Sequence, residues 1–291
     1  MNPKHIILTL LIMLCPIGMA AQSTITRHRP KQTVTKHKPA AKPKAKPKPA
    51  PRRNSSTTGL SAELNKLINN MVYVEGGTFT MGGTAEQNGD MDYNEGPSHN
   101  VTLSSYYICK YEVTQALWRA VMGSNPSYKK GDKLPVECVS WDDCQTFINH
   151  LNSYTGRNFR LPTEAEWEFA ARGGKNSRHY KYSGSNNIND IAWYHDNSGT
   201  PTPRHVHPVG CKRPNELGLY DMSGNVCEWC NDWYDSYRSY SQTNPTGPVT
   251  GTYHVKRGGS WNDYARYCRS STRYDGATNS EIGLRLVLSK L

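Results

Sequence analysis

Apolar positions repeat with a helical period in only a few places along this chain. Cys144, Phe147, Ile148 and Leu151 fall at i, i+3, i+4 and i+7, one buried stripe of a helix that Ser140 caps and Gly156 ends. Thr163 opens a second helix, with Glu166 three residues on completing a capping box and Gly173-Gly174 closing it. Thr114 caps a third through Met122, stopped at Gly123. A short amphipathic helix begins at Ser61, with Leu64, Leu67 and Ile68 on one side. Met71–Val74 and Thr78–Gly82 read as a hairpin around Glu75-Gly76-Gly77, and Val101 to Glu112 as another strand pair. Beyond residue 174 the periodicity fades. Turn residues and aromatics dominate there, so the pattern predicts short strands and ordered loops, with no internal repeat.

Composition agrees with a loop-rich fold: 24 Gly, 18 Tyr and 7 Trp against 4 Phe in 291 residues. The net charge of +11 suggests nucleic-acid binding until it is located. Eleven Lys/Arg and no Asp/Glu lie between Ala21 and Thr58. With Lys4 set aside too, 23 basic residues face all 24 acidic ones in the remainder, which is close to neutral. The basicity belongs to a tail, and no nucleic-acid partner is expected.

Residues 1–21 read as a secretory signal peptide: Lys4 and His5, an apolar run from Ile6 to Leu14, then Gly18-Met19-Ala20 as a small-residue cleavage site. The run is too short for a transmembrane helix, and Leu14 before Cys15 disfavours lipoprotein processing. Residues 22–58 alternate Lys, Pro and Ala, a composition that predicts an extended, disordered linker. It serves either as a stalk or as an electrostatic contact with an anionic surface. Residues 59–291 form the remaining domain. The expected location is the periplasm or the cell surface.

Arg160-Leu161-Pro162-Thr163-Glu164-Ala165-Glu166-Trp167-Glu168 and Gly218-Leu219-Tyr220-Asp221-Met222-Ser223-Gly224-Asn225-Val226-Cys227-Glu228-Trp229 are two long motifs. Arg257-Gly258-Gly259-Ser260-Trp261 and Ile282-Gly283-Leu284-Arg285-Leu286-Val287 follow them in order. From about residue 71 to 288 the chain resembles the formylglycine-generating enzyme (sulfatase-modifying factor) family. The resemblance implies a single domain of irregular α/β type, related to C-type lectins and low in regular secondary structure.

It also implies chemistry that this chain does not match. Members that make formylglycine hold copper between two thiolates, a soft donor pair that suits Cu(I). The first lies three residues after the Gly-Gly-Ser serine, which here is Asp263; the second falls at Cys268 on a gapless count, a residue that better matches a later structural cysteine. Cys227 replaces an expected indole and Glu281 an expected asparagine. No copper site is therefore visible and formylglycine synthesis is not expected. Seven cysteines remain after residue 21, and the resemblance places Cys230 and Cys268 near the aromatic core as the preferred disulfide.

One calcium site of the family maps onto Asp221, Gly224, Val226 and Glu228. Two carboxylates and two carbonyls suit a hard cation; the alternative is that Asp221 and Glu228 satisfy buried N–H groups without metal. The stretch Trp261 to Glu281 mixes Tyr, Asn, Asp, Ser and Thr, as adaptable recognition surfaces do. Its candidate ligand-binding residues are Trp261, Asn262, Asp263, Tyr264, Arg273 and Tyr274, although Arg266, Arg269 and Arg273 also suit buried ion pairs. It also resembles the variable region of lectin-like proteins diversified by retroelements. Three functions stay open: a binding or envelope-assembly module with a protein or glycan ligand, an oxidase-type enzyme with an unrecognised site, and a retroelement-diversified binder.

Overall fold

The computed structural model describes residues 56–87, 89–199, 203–276 and 280–289. The signal-peptide segment and all but the last three residues of the linker lie outside these. Helix α1 (Ser56–Asn69) starts five residues before the expected Ser61. Leu60 extends its Leu64–Leu67–Ile68 face, and all four belong to or pack against one core cluster, the helix lying beside the segment Gln115–Met122.

Strands β1 (Met71–Val74), β2 (Gly77–Met81), β3 (His99–Leu103) and β4 (Tyr106–Cys109) follow in order. Neither expected hairpin forms. β1 pairs antiparallel with β4, Met71 opposite Cys109, whereas β2 pairs with β3, Met81 opposite His99. The chain thus crosses twice between two sheets, and the crossings pack tightly. A Cβ at Gly76 would stand 2.3 Å from the Leu103 carbonyl oxygen, so only glycine passes there.

The three capped helices match the sequence pattern. Thr114 accepts from the Leu117 N–H at the start of α2 (Gln115–Met122), which ends on left-handed Gly123. Ser140 and Asp143 form a capping box on α3 (Trp141–Thr155), whose Cys144, Phe147, Ile148 and Leu151 are buried. Thr163 and Glu166 do the same for α4 (Glu164–Ala171). Every residue of α4 is buried, its three glutamates included.

The second half is short strands and ordered loops, as expected. β5 (Cys227–Trp233), β6 (Gln242–Thr243), β7 (His254–Arg257), β8 (Arg273–Tyr274), β9 (Ile282–Gly283) and β10 (Val287–Leu288) complete the chain. The sheets run β1-β4-β10, β2-β3-β6 and β8-β7-β5-β9. Charge is unusually deep: Arg257, Arg269 and Arg285 are fully buried, paired with Glu168, Glu95 and Glu228 respectively. Buried ions of this kind are costly unless their donors find partners, and only the Arg257 Nε among these three is left without a hydrogen bond, 3.7 Å from Glu164. Arg285 shows how they are met, reaching the Cys109 and Tyr220 carbonyls as well as Glu228.

Candidate functional site

The turn from Asp221 to Val226 is the organising feature. Asp221, Gly224 and Asn225 all adopt positive φ, at 58°, 77° and 61°. Asn225 is a buried hub: its amide donates to Glu112 at 2.6 Å, and its side-chain oxygen accepts from the His207 N–H. Its main chain ties Trp193 to Trp261, through N–H to the Trp193 carbonyl and a carbonyl accepting from the Trp261 N–H.

Three buried carboxylates surround this turn, and one guanidinium answers them. Glu228 takes Arg285 at 2.7 Å and the Trp167 indole N–H at 2.7 Å. Glu112 accepts from Val226 N–H and Asn225. Asp221 accepts from the Gly210 N–H through Oδ2 at 2.7 Å, while its buried Oδ1 has no hydrogen-bond partner. Burial first, then the Glu228 charge, pushes the Asp221 carboxyl up to about 6. Glu112 is pushed well up by burial and by Asp221.

Surplus negative charge and an unpartnered carboxylate oxygen fit a cation at Asp221. Glu228 is already committed to Arg285 and would have to share. Among the described residues no three His, Cys, Asp or Glu side chains are grouped to hold a metal, so a cation here would lean on main-chain oxygens such as those of Gly224 and Val226. Glu112 escapes a reading of the sequence, where 113 residues separate it from Asn225 and no local signal marks it.

At the position of the first family copper cysteine, Asp263 fastens the chain to Ser260, its carboxylate accepting from the Ser260 N–H at 2.8 Å and from its hydroxyl at 2.7 Å. Burial raises the Cys227 thiol to about 12, and burial with the Asp263 charge raises Cys268 well above its ordinary value. Both sulfurs are therefore protonated near neutrality, the opposite of a ready thiolate.

All seven described cysteines are free thiols, so the expected Cys230–Cys268 bridge is not formed. The two sit in different clusters: Cys230 with Trp167 and Phe169 under α4, and Cys268 with Tyr182 and Tyr194. β5 turns Cys230 toward α4, away from the turn that carries Cys268.

A groove of about 530 Å³ opens beside Trp261. Buried Val206 floors it, exposed Tyr128 and half-buried His205 wall it, and Lys129 and Arg204 bring positive charge. The His205 wall is stiff because its ring stacks on His207, which stacks on Trp193 at 3.8 Å. The buried Trp261 indole N–H has no partner. Arg204 donates to the His195 carbonyl, and the His195 ring packs on Tyr264 at 4.1 Å. Exposed Asn262 donates to Glu281 at 2.8 Å.

Trp261, Asn262 and Tyr264 thus gather near one surface, with Asp263 turned back toward Ser260. Arg273 does not join them. It is buried, held to Glu164 at 2.6 Å and packed on the Tyr237 ring at 3.9 Å; turning it outward would cost a buried glutamate this partner. Tyr274 is half-buried and donates its hydroxyl to the Tyr267 carbonyl.

Comparison with known proteins bears on the same span. Residues 57–290 match the family described as the sulfatase-modifying factor enzyme 1-like domain. Chaperone protein LppX of Paenibacillus barcinonensis is 36% identical, covering 76% of this chain and 89% of its own length. The formylglycine-generating enzyme of Streptomyces coelicolor is 37% identical over 178 residues, and the match spans 54% of that enzyme. Among solved structures, Treponema denticola variable protein 1 superposes with a TM-score of 0.67 at 33% identity, over 75% of this chain and 94% of that one. With these matches joined to the Gly-Asn-Val turn and the irregular three-sheet fold, the chain belongs to the sulfatase-modifying factor family.

Proposed function

We propose that this protein is an exported binding domain of the cell envelope that docks a partner in the Trp261 groove and does not make formylglycine. The observation that carries this reading is the state of the reaction position: Asp263 caps Ser260, and the neighbouring thiols are buried and protonated. Beside it lies an open groove walled by Tyr128, His205 and Trp261, with Lys129, Arg204 and Glu137 bringing charge of both signs, which suits recognition rather than oxidation. A protein ligand is favoured over a glycan because the relative matched over 89% of its own length is named a chaperone. The calcium part of the proposal places the ion at Asp221 with the Gly224 and Val226 carbonyls and a shared Glu228, where it would brace the turn that holds Trp261.

The test has two arms. Purified protein, copper and a Cys-x-Pro-x-Arg peptide are expected to yield no aldehyde, and measurable aldehyde overturns the reading. Immobilised wild-type domain is compared with Trp261→Ala and His205→Ala on envelope extract. A partner retained by the wild type and lost by both variants is expected; identical profiles remove the groove from the proposal.

A second reading, a retroelement-diversified binder, draws support from the likeness to a protein named for its variability. A near-copy of the codons for residues 258–288 beside a reverse transcriptase would favour it, and absence of both removes it.

A further inference from the structure

A cavity of about 330 Å³ opens where the start of α4 meets the end of β5 and the loop that follows it. It shares no lining residue with the Trp261 groove. Three carboxylates line it, Glu164, Asp232 and Asp235, against two guanidiniums. Arg273 answers Glu164 at 2.6 Å, and Arg238 answers Asp235 at 2.8 Å. Asp232 is left over. It is 4% exposed; its Oδ2 accepts from the Glu164 N–H at 3.0 Å, and its Oδ1 has no hydrogen-bond partner among the described residues. A Cβ built on Gly247, which lines the cavity in left-handed backbone at φ 72°, would stand 3.3 Å from that oxygen. Glycine therefore leaves the space beside the carboxylate open.

His99 adds a second acceptor to the lining. Its buried ring donates from Nδ1 to the Pro97 carbonyl at 3.1 Å, which leaves Nε2 as a lone pair in the neutral imidazole. The ring is held edge-on to Tyr237 at 5.1 Å. Tyr237, Tyr240 and Met81 supply apolar surface alongside. What this lining lacks is a donor that carries positive charge.

We propose that the cavity binds a primary alkylammonium group, the ammonium donating to Asp232 Oδ1 and the alkyl stem lying along the Tyr237 and Tyr240 rings. An ammonium brings three donors and no acceptor on a compact charge, and its methylenes suit aromatic walls. A divalent metal fits less well, because among the described residues no three His, Cys, Asp or Glu side chains are grouped to hold one. Burial first, then the Glu164 and Glu166 charges, raise the Asp232 carboxyl to about 8 against the opposing charge of Arg273. An arriving ammonium supplies the missing countercharge, and the carboxyl proton passes to solvent.

The test titrates the full chain with n-butylammonium at about pH 8.5, where the amine keeps its proton and Asp232 can release its own, and reads binding by calorimetry. n-Butanol, a neutral isostere, and tetramethylammonium, a cation without an N–H, run beside it and need no variant. Butylammonium is expected to bind at least about tenfold tighter than either, as a charge-assisted hydrogen bond dictates. Asp232→Asn, which keeps an oxygen for the Glu164 N–H, is expected to weaken it by about tenfold or more. A peptide with one internal lysine separates the two sources of such a group. Binding as tight as the free amine's assigns the site to a protein lysine, and binding at least about tenfold weaker assigns it to a small amine. Equal binding of butanol and butylammonium, wild-type affinity in Asp232→Asn, or no saturation below about 10 mM overturns the proposal.

Discussion

Glu228 and Arg285 meet at 2.7 Å, both buried, at the centre of the Gly-Asn-Val turn. Arg285 also holds the Cys109 and Tyr220 carbonyls, and Glu228 holds the Trp167 indole, so one pair ties β5 to β4, to α4 and to the loop before the turn. Replacing Arg285 with Met would leave Glu228 charged, buried and unpaired. The expected loss is about 3–5 kcal/mol in urea unfolding, as for other broken buried pairs. A loss under about 1 kcal/mol would mean that the pair is not closed in solution.

Gly224 and Gly218 separate strain from collision. Both have positive φ, at 77° and 79°, but a Cβ at Gly224 would lie 2.3 Å from the Trp193 carbonyl oxygen, whereas nothing stands within 4 Å at Gly218. Gly218→Ala should therefore cost about 1–2 kcal/mol, the left-handed penalty alone. Gly224→Ala should cost roughly 3 kcal/mol or more, because a main-chain oxygen must move as well. Chemical denaturation of the two variants side by side checks the ordering.

These two sites mark what the chain's pattern discloses. Local rules were enough for α2, α3 and α4, since Thr114, Ser140 and Thr163 bond to main-chain N–H groups three residues away. The strand pairings were not legible, because the partners of β1 and β2 are fixed by sheet crossings over about thirty residues rather than by the intervening glycines. The buried guanidiniums were only half visible. Arg269 and Arg273 suited ion pairs from sequence, but Glu95 lies 174 residues from Arg269, and no local signal joins them. The groove divides the same way: Trp261, a candidate from the sequence, lines it, whereas Tyr128 and His205 reach it only through the fold.

Calcium is expected to raise the melting temperature of the wild type by several degrees at saturating concentration, and chelator to reverse it, since a ligand bound to the folded state adds RT ln(1 + [L]/Kd) to stability. Asp221→Asn should remove most of that shift. It should also cost little in metal-free buffer, because the amide relieves the surplus charge around Glu112 and Glu228 while keeping an oxygen for the Gly210 N–H. No shift at millimolar calcium leaves Asp221 as a structural carboxyl only.

Asp232 gives a pH dependence of definite sign. It is buried beside Glu164, whose N–H donates to it at 3.0 Å; burial first and the Glu164 charge second push its carboxyl up to about 8. In the unfolded chain it ionises near 4. Between roughly pH 4 and 8 the folded state therefore holds a proton that the unfolded state has released, and stability falls as pH rises through that window. One such group contributes up to about 1.4 kcal/mol per pH unit. Asp232→Asn cannot ionise, so its stability should decline less steeply between pH 5 and 8, with the two curves diverging toward alkaline pH in favour of the variant. Parallel curves would show that Asp232 is already ionised in the folded protein, balanced by Arg273, which its neighbour Glu164 binds.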